Sequence, residues 1–139
     1  MLQLKALDHV GLKVRNLEKS LHFYRQFGLK VLRTKGPDSA GVRIAVLQVG
    51  NQELNVVCNP EFIPQDNDNA VGIDHFCFEV EGASIDEVVA GLSRAGIEIA
   101  GGPTARRDGA AVFLLDPDGV RVELQLKIPA TPGSSTGER

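Results

Sequence analysis

Leu7-Asp8-His9-Val10-Gly11-Leu12-Lys13-Val14 comes back, 66 positions later, as Ile73-Asp74-His75-Phe76-Cys77-Phe78-Glu79-Val80. Both runs alternate, which is the period-2 pattern of a strand with one buried face. Both carry Asp-His at the same place. Each leads into a helical pattern that stops at a glycine. In the first copy this is Asn16-Leu17-Glu18-Lys19-Ser20-Leu21-His22-Phe23-Tyr24, ending near Gly28. In the second it is Ser84-Ile85-Asp86-Glu87-Val88-Val89-Ala90-Gly91-Leu92, ending near Gly96. Asn16 and Ser84 suit the N-cap. Glu87, three residues beyond Ser84, makes a capping box, whereas Lys19 in the first copy does not. Gly28 and Gly96 suit the left-handed residue after a helix.

Working outward, Leu29-Lys30-Val31 and Ile97-Glu98-Ile99 read as short strands after the helices. Val42 to Val49 and Glu53 to Cys58 flank a Gly50-Asn51 turn. Ala111 to Leu115 and Val120 to Leu126 flank Asp116-Pro117-Asp118-Gly119, with Pro at the second turn position and Gly at the fourth, as a type I turn prefers. Each half therefore reads β-α-β-β-β, and the fold class is α+β. The expected organisation is one domain over 1–139, with a first module at 4–58, a polar connector at 59–71 and a second module at 72–127. The tail at 128–139 has the composition of a disordered end.

Composition narrows the function classes. A chain of 139 residues with 42% hydrophobic residues can bury a real core as one domain. The net charge of −3, with no basic stripe interleaved with aromatics, argues against a nucleic-acid partner. The apolar runs are too short to span a bilayer, and Met1 to His9 has no signal-peptide core. A cytoplasmic location is expected. Two cysteines make no disulfide framework, so Cys58 and Cys77 are expected to stay reduced.

Strand parity then sorts the chemistry-bearing residues. Val10, Leu12 and Val14 share one face of their strand and His9 lies on the other. Phe76, Phe78 and Val80 oppose His75, and Val122, Leu124 and Leu126 oppose Glu123, Arg121 and Gln125. The apolar faces are expected to pack under the helices. If the sheet curls, His9, His75 and Glu123 converge in its hollow. Neutral imidazole and carboxylate suit a divalent first-row metal, and two His with one carboxylate leave positions open for substrate or water. The matched slots of the two histidines are what lift this above chance spacing.

Singly, most of the other residues have plainer readings. Asp8 and Asp74 are expected to terminate or cap their strands. His22 is expected to pack at the surface, and Phe23 and Tyr24 to belong to the core. Cys77 is expected to be a small buried packing residue. Arg106, Arg107 and Arg121 suit an anionic substrate; Arg121 is the best placed by parity, and solvated surface charge accounts for the other two. Gly101-Gly102-Pro103 reads as a turn.

Leu7 to Val14, the Leu17-Glu18-Lys19-Ser20-Leu21-His22-Phe23-Tyr24 helix, Gly72 to Val80 and Asp116-Pro117-Asp118-Gly119-Val120-Arg121-Val122-Glu123-Leu124 together resemble the vicinal oxygen chelate superfamily, the glyoxalase, bleomycin-resistance and extradiol-dioxygenase group. The resemblance covers residues 4 to 127. It implies paired βαβββ modules forming a curled mixed sheet around a metal cup, helices on the outer face, and a homodimer for a chain this short. It implies metal ligands at His9, His75 and Glu123. A fourth ligand is implied on the last strand of the first half, where Glu53 and Asn55 compete. Matching Glu53-Leu54 to Glu123-Leu124 favours Glu53, and counting from the Gly50 turn favours Asn55; Glu53 is preferred because a carboxylate is the better ligand. The implied activity is that of a lyase or isomerase of the lactoylglutathione lyase type, using Zn, Ni, Mn or Fe to stabilise an enediolate of a small oxygenated substrate, with Glu123 or Glu53 shuttling the proton. The alternatives are an extradiol-type Fe(II) dioxygenase and a binding protein that sequesters a drug or metabolite.

Overall fold

A computed structural model describes residues 2–63 and 73–127. The chain divides into two compact units, Met1–Asp66 and Asn67–Arg139. The connector expected at 59–71 is described only as far as residue 63, and the tail expected from residue 128 lies outside the described residues. No helix among the described residues is long and apolar enough to cross a membrane.

The first unit runs β1 (His9–Val14), α1 (Leu17–Arg25), β2 (Lys30–Lys35), β3 (Arg43–Val49) and β4 (Gln52–Cys58). Its sheet has the order β1-β4-β3-β2, with β1 and β4 parallel and the other pairs antiparallel. The Asn16 side chain accepts from the Lys19 N–H at 3.0 Å and starts α1. An N-cap of this kind contributes about 1 kcal/mol. Gly28, at φ +83°, ends the turn after the helix in a conformation that costs a β-carbon residue strain. Leu12, Val14, Leu54 and Val56 face α1, which packs on β4, and all four are buried. Tyr24 is fully buried and Phe23 nearly so, edge-to-face at 5.0 Å, as core residues should be. Burying each such side chain stabilises the unit by about 1.5–3 kcal/mol. His22 is exposed.

The second unit repeats the plan: β5 (Phe76–Val80), α2 (Ile85–Arg94), β6 (Gly101–Arg106), β7 (Gly109–Leu115) and β8 (Arg121–Lys127), ordered β5-β8-β7-β6 with β5 and β8 parallel. Ser84 Oγ accepts from the Glu87 N–H at 3.2 Å, and Glu87 Oε2 accepts from the Ala83 N–H at 3.0 Å. The capping box therefore closes one residue earlier than its usual form. Val122, Leu124 and Leu126 are buried, as is Leu92 of α2. Asp116 Oδ1 accepts from the N–H groups of Asp118 and Val120, both at 2.9 Å, and fixes the β7–β8 turn.

These are the paired βαβββ modules that the sequence predicts, with the hydrogen-bonded strands forming two four-stranded mixed sheets. One strand is displaced. Ile97-Glu98-Ile99 is not a strand, because the Ile97 N–H closes the end of α2 on Leu92 O at 2.9 Å. Pairing begins at the Ala100 N–H, which donates to Phe113 O at 2.7 Å. Gly101-Gly102-Pro103 consequently belongs to β6 rather than to a free turn, and a register shift between Gly101 and Thr104 absorbs it.

Candidate metal centre

Each unit presents one corner built on the parallel strand pair, on the face away from its helix. In the first unit His9 opens β1 opposite Glu53 of β4, and Gly11 lies opposite Asn55. Side chains of in-register neighbours point the same way, so His9, Glu53 and Asn55 share a face. In the second unit His75 immediately precedes β5, and Cys77 lies opposite Glu123 of β8. Gly11 and Cys77 each stand two residues after the repeated histidine. By strand pairing, therefore, the first-unit counterpart of Glu123 is Asn55, and Glu53 is the counterpart of Arg121.

Both histidines are held from behind. His9 Nδ1 meets Asp8 Oδ2 at 2.8 Å, and His75 Nδ1 meets Asp74 Oδ2 at 2.6 Å. A carboxylate accepts and does not donate, so each Nδ1 carries the proton and Nε2 is left as the donor atom toward a cation. The repeated aspartates thus do more than end a strand: they set tautomer and ring orientation, the task of a carboxylate behind a metal-binding histidine. The hydrogen bond from His75 holds the Asp74 carboxyl below its ordinary value, assisted by the positive charge of Arg121.

Glu123 is the buried member of the set, at 6% exposure. Its Oε1 meets His75 Nε2 at 3.1 Å. Because Nδ1–H is already given to Asp74, this contact brings together two atoms that bear lone pairs, and a proton or a cation must lie between them. Its Oε2 accepts from both Nε and Nη2 of Arg106, at 3.3 and 3.2 Å. Arg106 is therefore part of the corner and not solvated surface charge. Arg121, about half exposed, donates from Nη1 to Asp74 Oδ2 at 3.4 Å and sits over the Phe113 ring at 4.9 Å. Phe113 also meets His75 edge-to-face at 5.3 Å.

The first-unit corner is more open. Glu53 Oε1 accepts from Arg33 Nη2 at 3.2 Å, with both side chains partly exposed. Asn55 Oδ1 is buried without a hydrogen-bond partner. An orphaned buried acceptor costs about 1–3 kcal/mol, and a cation or a ligand's N–H or O–H would satisfy it. Cys77 is exposed on the His75 face, not buried, because that face carries no helix. Cys58 is buried, with its thiol toward Arg15 O. Among the described residues no three His, Cys, Asp or Glu side chains gather as a metal-holding group. The donor chemistry within each unit fits a divalent cation: a preset imidazole Nε2 in both, a carboxylate oxygen aimed at it in one and an unsatisfied amide oxygen in the other.

Sequence reasoning passed over Asp8, Asp74, Arg33 and Arg106 as site residues. The Asp-His repeat was the available signal for the first two.

Comparison with known proteins gives a consistent result. The family model described as Glyoxalase/Bleomycin resistance protein/Dioxygenase superfamily matches residues 6–124. A lactoylglutathione lyase of Neisseria meningitidis is 32% identical over 124 residues, covering 84% of this chain and 87% of that protein. The crystal structure of a glyoxalase family protein from Enterococcus faecalis superposes with a TM-score of 0.76 at 31% identity, covering 87% of this chain and 97% of the other. A fosfomycin resistance protein from Listeria monocytogenes, solved with Mn(II) and 1S,2S-dihydroxypropylphosphonic acid, shares the fold at TM-score 0.70 and 18% identity, covering 88% and 93%.

Proposed function

The chain belongs to the Glyoxalase/Bleomycin resistance protein/Dioxygenase superfamily, and from that premise we propose that it is a divalent-metal-dependent lyase or isomerase acting on a small oxygenated substrate. The observation that carries the reading is the repeated Asp–His corner with Glu123 aimed at His75 Nε2. The proposed ligands are His9, His75 and Glu123, with the fourth position at Asn55 or Glu53. Zn, Ni, Mn and Fe all suit such nitrogen and oxygen donors. When bound, the cation supplies a Lewis acid that polarises neighbouring substrate oxygens.

The chain's own groups divide the remaining work. Asp8 and Asp74 hold the tautomer in which each Nε2 would be free to bind a cation. Arg121, seated on Phe113, offers a guanidinium to an anionic end of the substrate. Glu123 and Glu53 are the carboxylates available to move a proton at a carbon beside a polarised carbonyl. Glu53 suits that task better, because Arg106 takes Glu123 Oε2 and Oε1 is the oxygen proposed for the cation.

Two measurements test the proposal. Protein purified without chelator should hold about one divalent metal per chain, and His9→Ala or His75→Ala should abolish it. Turnover of a hemithioacetal should depend on that metal. No metal in the wild type, and no loss on either substitution, removes the centre. Metal without hemithioacetal turnover removes only the lyase activity. A dioxygenase reading has one observation in its favour: a neutral Asn55 at the counterpart of Glu123 leaves a two-histidine, one-carboxylate set, which suits Fe(II). Catechol-dependent oxygen uptake by the iron-loaded protein would establish it.

A further inference from the structure

We infer that Arg106 is a positioning residue that fixes how Glu123 presents itself to the metal. It takes Oε2 and leaves Oε1 as the single oxygen available for coordination. The inference rests on the metal-centre reading above and goes beyond it, because it concerns a residue outside the proposed ligand set.

Three observations carry it. Arg106 places two N–H groups, Nε and Nη2, on one oxygen, at 3.3 and 3.2 Å. Two donors in a rigid plane pin Oε2, which a single point charge does not, and the His75 contact at Oε1 then sets the rotation of the carboxylate. The pair is also withdrawn from solvent, with side-chain exposures of 23% for Arg106 and 8% for Glu123. The first unit's own arginine–carboxylate pair, Arg33 with Glu53, lies at a different register, stands at 54% and 34% and has one N–H in contact. In both units an arginine from the outer strand reaches a carboxylate on the strand paired with the histidine strand, but only the second-unit pair is shielded enough to hold its geometry against water. Finally, the Arg106 guanidinium lies 5.8 Å from the centroid of Phe113, the ring that also meets His75 edge-to-face. One aromatic side chain thus braces both the imidazole and the arginine behind the carboxylate.

Arg106 also carries a positive charge near the proposed cation. Removing it would relax the carboxylate and relieve repulsion at once, so a neutral substitution mixes two opposed effects. Arg106→Lys separates them: the charge stays and the fork is lost. Loss of such an outer contact typically weakens metal binding 10–100-fold. The expected result is a fall in Mn(II) or Co(II) affinity of about 10-fold or more in Arg106→Lys, with an altered visible spectrum at saturating Co(II). Arg107→Lys, at the exposed neighbouring position, should leave both unchanged. In a Glu123→Gln background, Arg106→Lys should change affinity by less than about 2-fold, because its route of action is gone.

Thermal melting of the chelated proteins shows whether each variant is folded. A folded Arg106→Lys protein with wild-type affinity and spectrum overturns the inference and leaves the metal centre standing. So does an Arg106→Lys effect of equal size with and without the Glu123 carboxylate. A wild-type protein that binds neither metal overturns the centre itself.

Discussion

Glu123→Gln probes the buried corner twice, once without metal and once with it. The substitution keeps the shape and one acceptor oxygen and removes the charge. Glu123 is 6% exposed and takes two N–H groups from Arg106. Breaking a fully buried ion pair by removing one partner costs about 3–5 kcal/mol. Here Arg106 retains 23% exposure, so water partly compensates it. The amide also keeps an acceptor and is cheaper to desolvate than a carboxylate. These offsets reduce the expected loss to about 1–2 kcal/mol, close to one hydrogen bond to a charged group. For a chain of 139 residues this is a drop of roughly 3–8 °C in Tm. Saturating metal then separates the proteins further. At 100 times Kd it stabilises the wild type by about 2.7 kcal/mol, and the variant, having lost a ligand, gains much less. Thermal or urea denaturation in EDTA and in excess Mn(II) measures both gaps. Equal stability in EDTA refutes the electrostatic account of the Arg106 contact. A gap that does not widen with metal refutes Glu123 as a ligand.

Three further outcomes follow from the first unit. If strand pairing sets the fourth donor, Asn55→Asp should tighten divalent-metal binding by adding a charged oxygen, and Glu53→Gln should leave affinity within about 2-fold while lowering turnover at least 100-fold; isothermal titration with a steady-state assay reads both, and a large loss of affinity in Glu53→Gln would move the ligand to that residue. Glu18, in the first turn of α1, has its carboxyl lowered by a backbone N–H and by Arg43 at 2.9 Å. A lowered folded-state value makes its contribution present above the unfolded value and lost as pH falls through the folded one. The stability difference between wild type and Glu18→Gln should therefore be constant from pH 7 to about 5 and shrink below about 4; a difference that grows on acidification would contradict this.

The repeat made the fold legible. Period-2 alternation, glycines after both helices and the Asp116–Gly119 turn each act within a few residues, where sequence order and spatial order coincide. The strand expected at Ile97 to Ile99 failed for a local reason that alternation does not carry: the Ile97 N–H was already committed to the helix end. Arg33 and Arg106 were hidden for a longer-range reason. They lie on outer strands, beyond register shifts at Val31/Arg33 and Gly101/Thr104. A shift of this kind re-aims a side chain without leaving a mark in the pattern of apolar residues. Glu53 and Asn55 show the same limit. Matching short strings pairs Glu53-Leu54 with Glu123-Leu124, whereas the parallel strands place Asn55 opposite Gly11 as they place Glu123 opposite Cys77.

That register makes the two corners chemically unequal, and the inequality bears on what the site does. The second-unit corner is closed and charged: Asp74, His75, Glu123 and Arg106 form one connected chain, with the carboxylate buried. Its nitrogen and oxygen donors fit a divalent cation. The first-unit corner has the same histidine support but a neutral amide in the matching slot, with Glu53 beside it and partly open to water. Two carboxylate ligands would cancel the charge of a divalent cation, and one leaves it with a net positive charge and greater power to polarise a bound oxygen. Within each unit, therefore, the register sets the chemistry of the corner: a buried carboxylate forked by an arginine in the second, and a neutral amide with a separate, partly exposed carboxylate in the first.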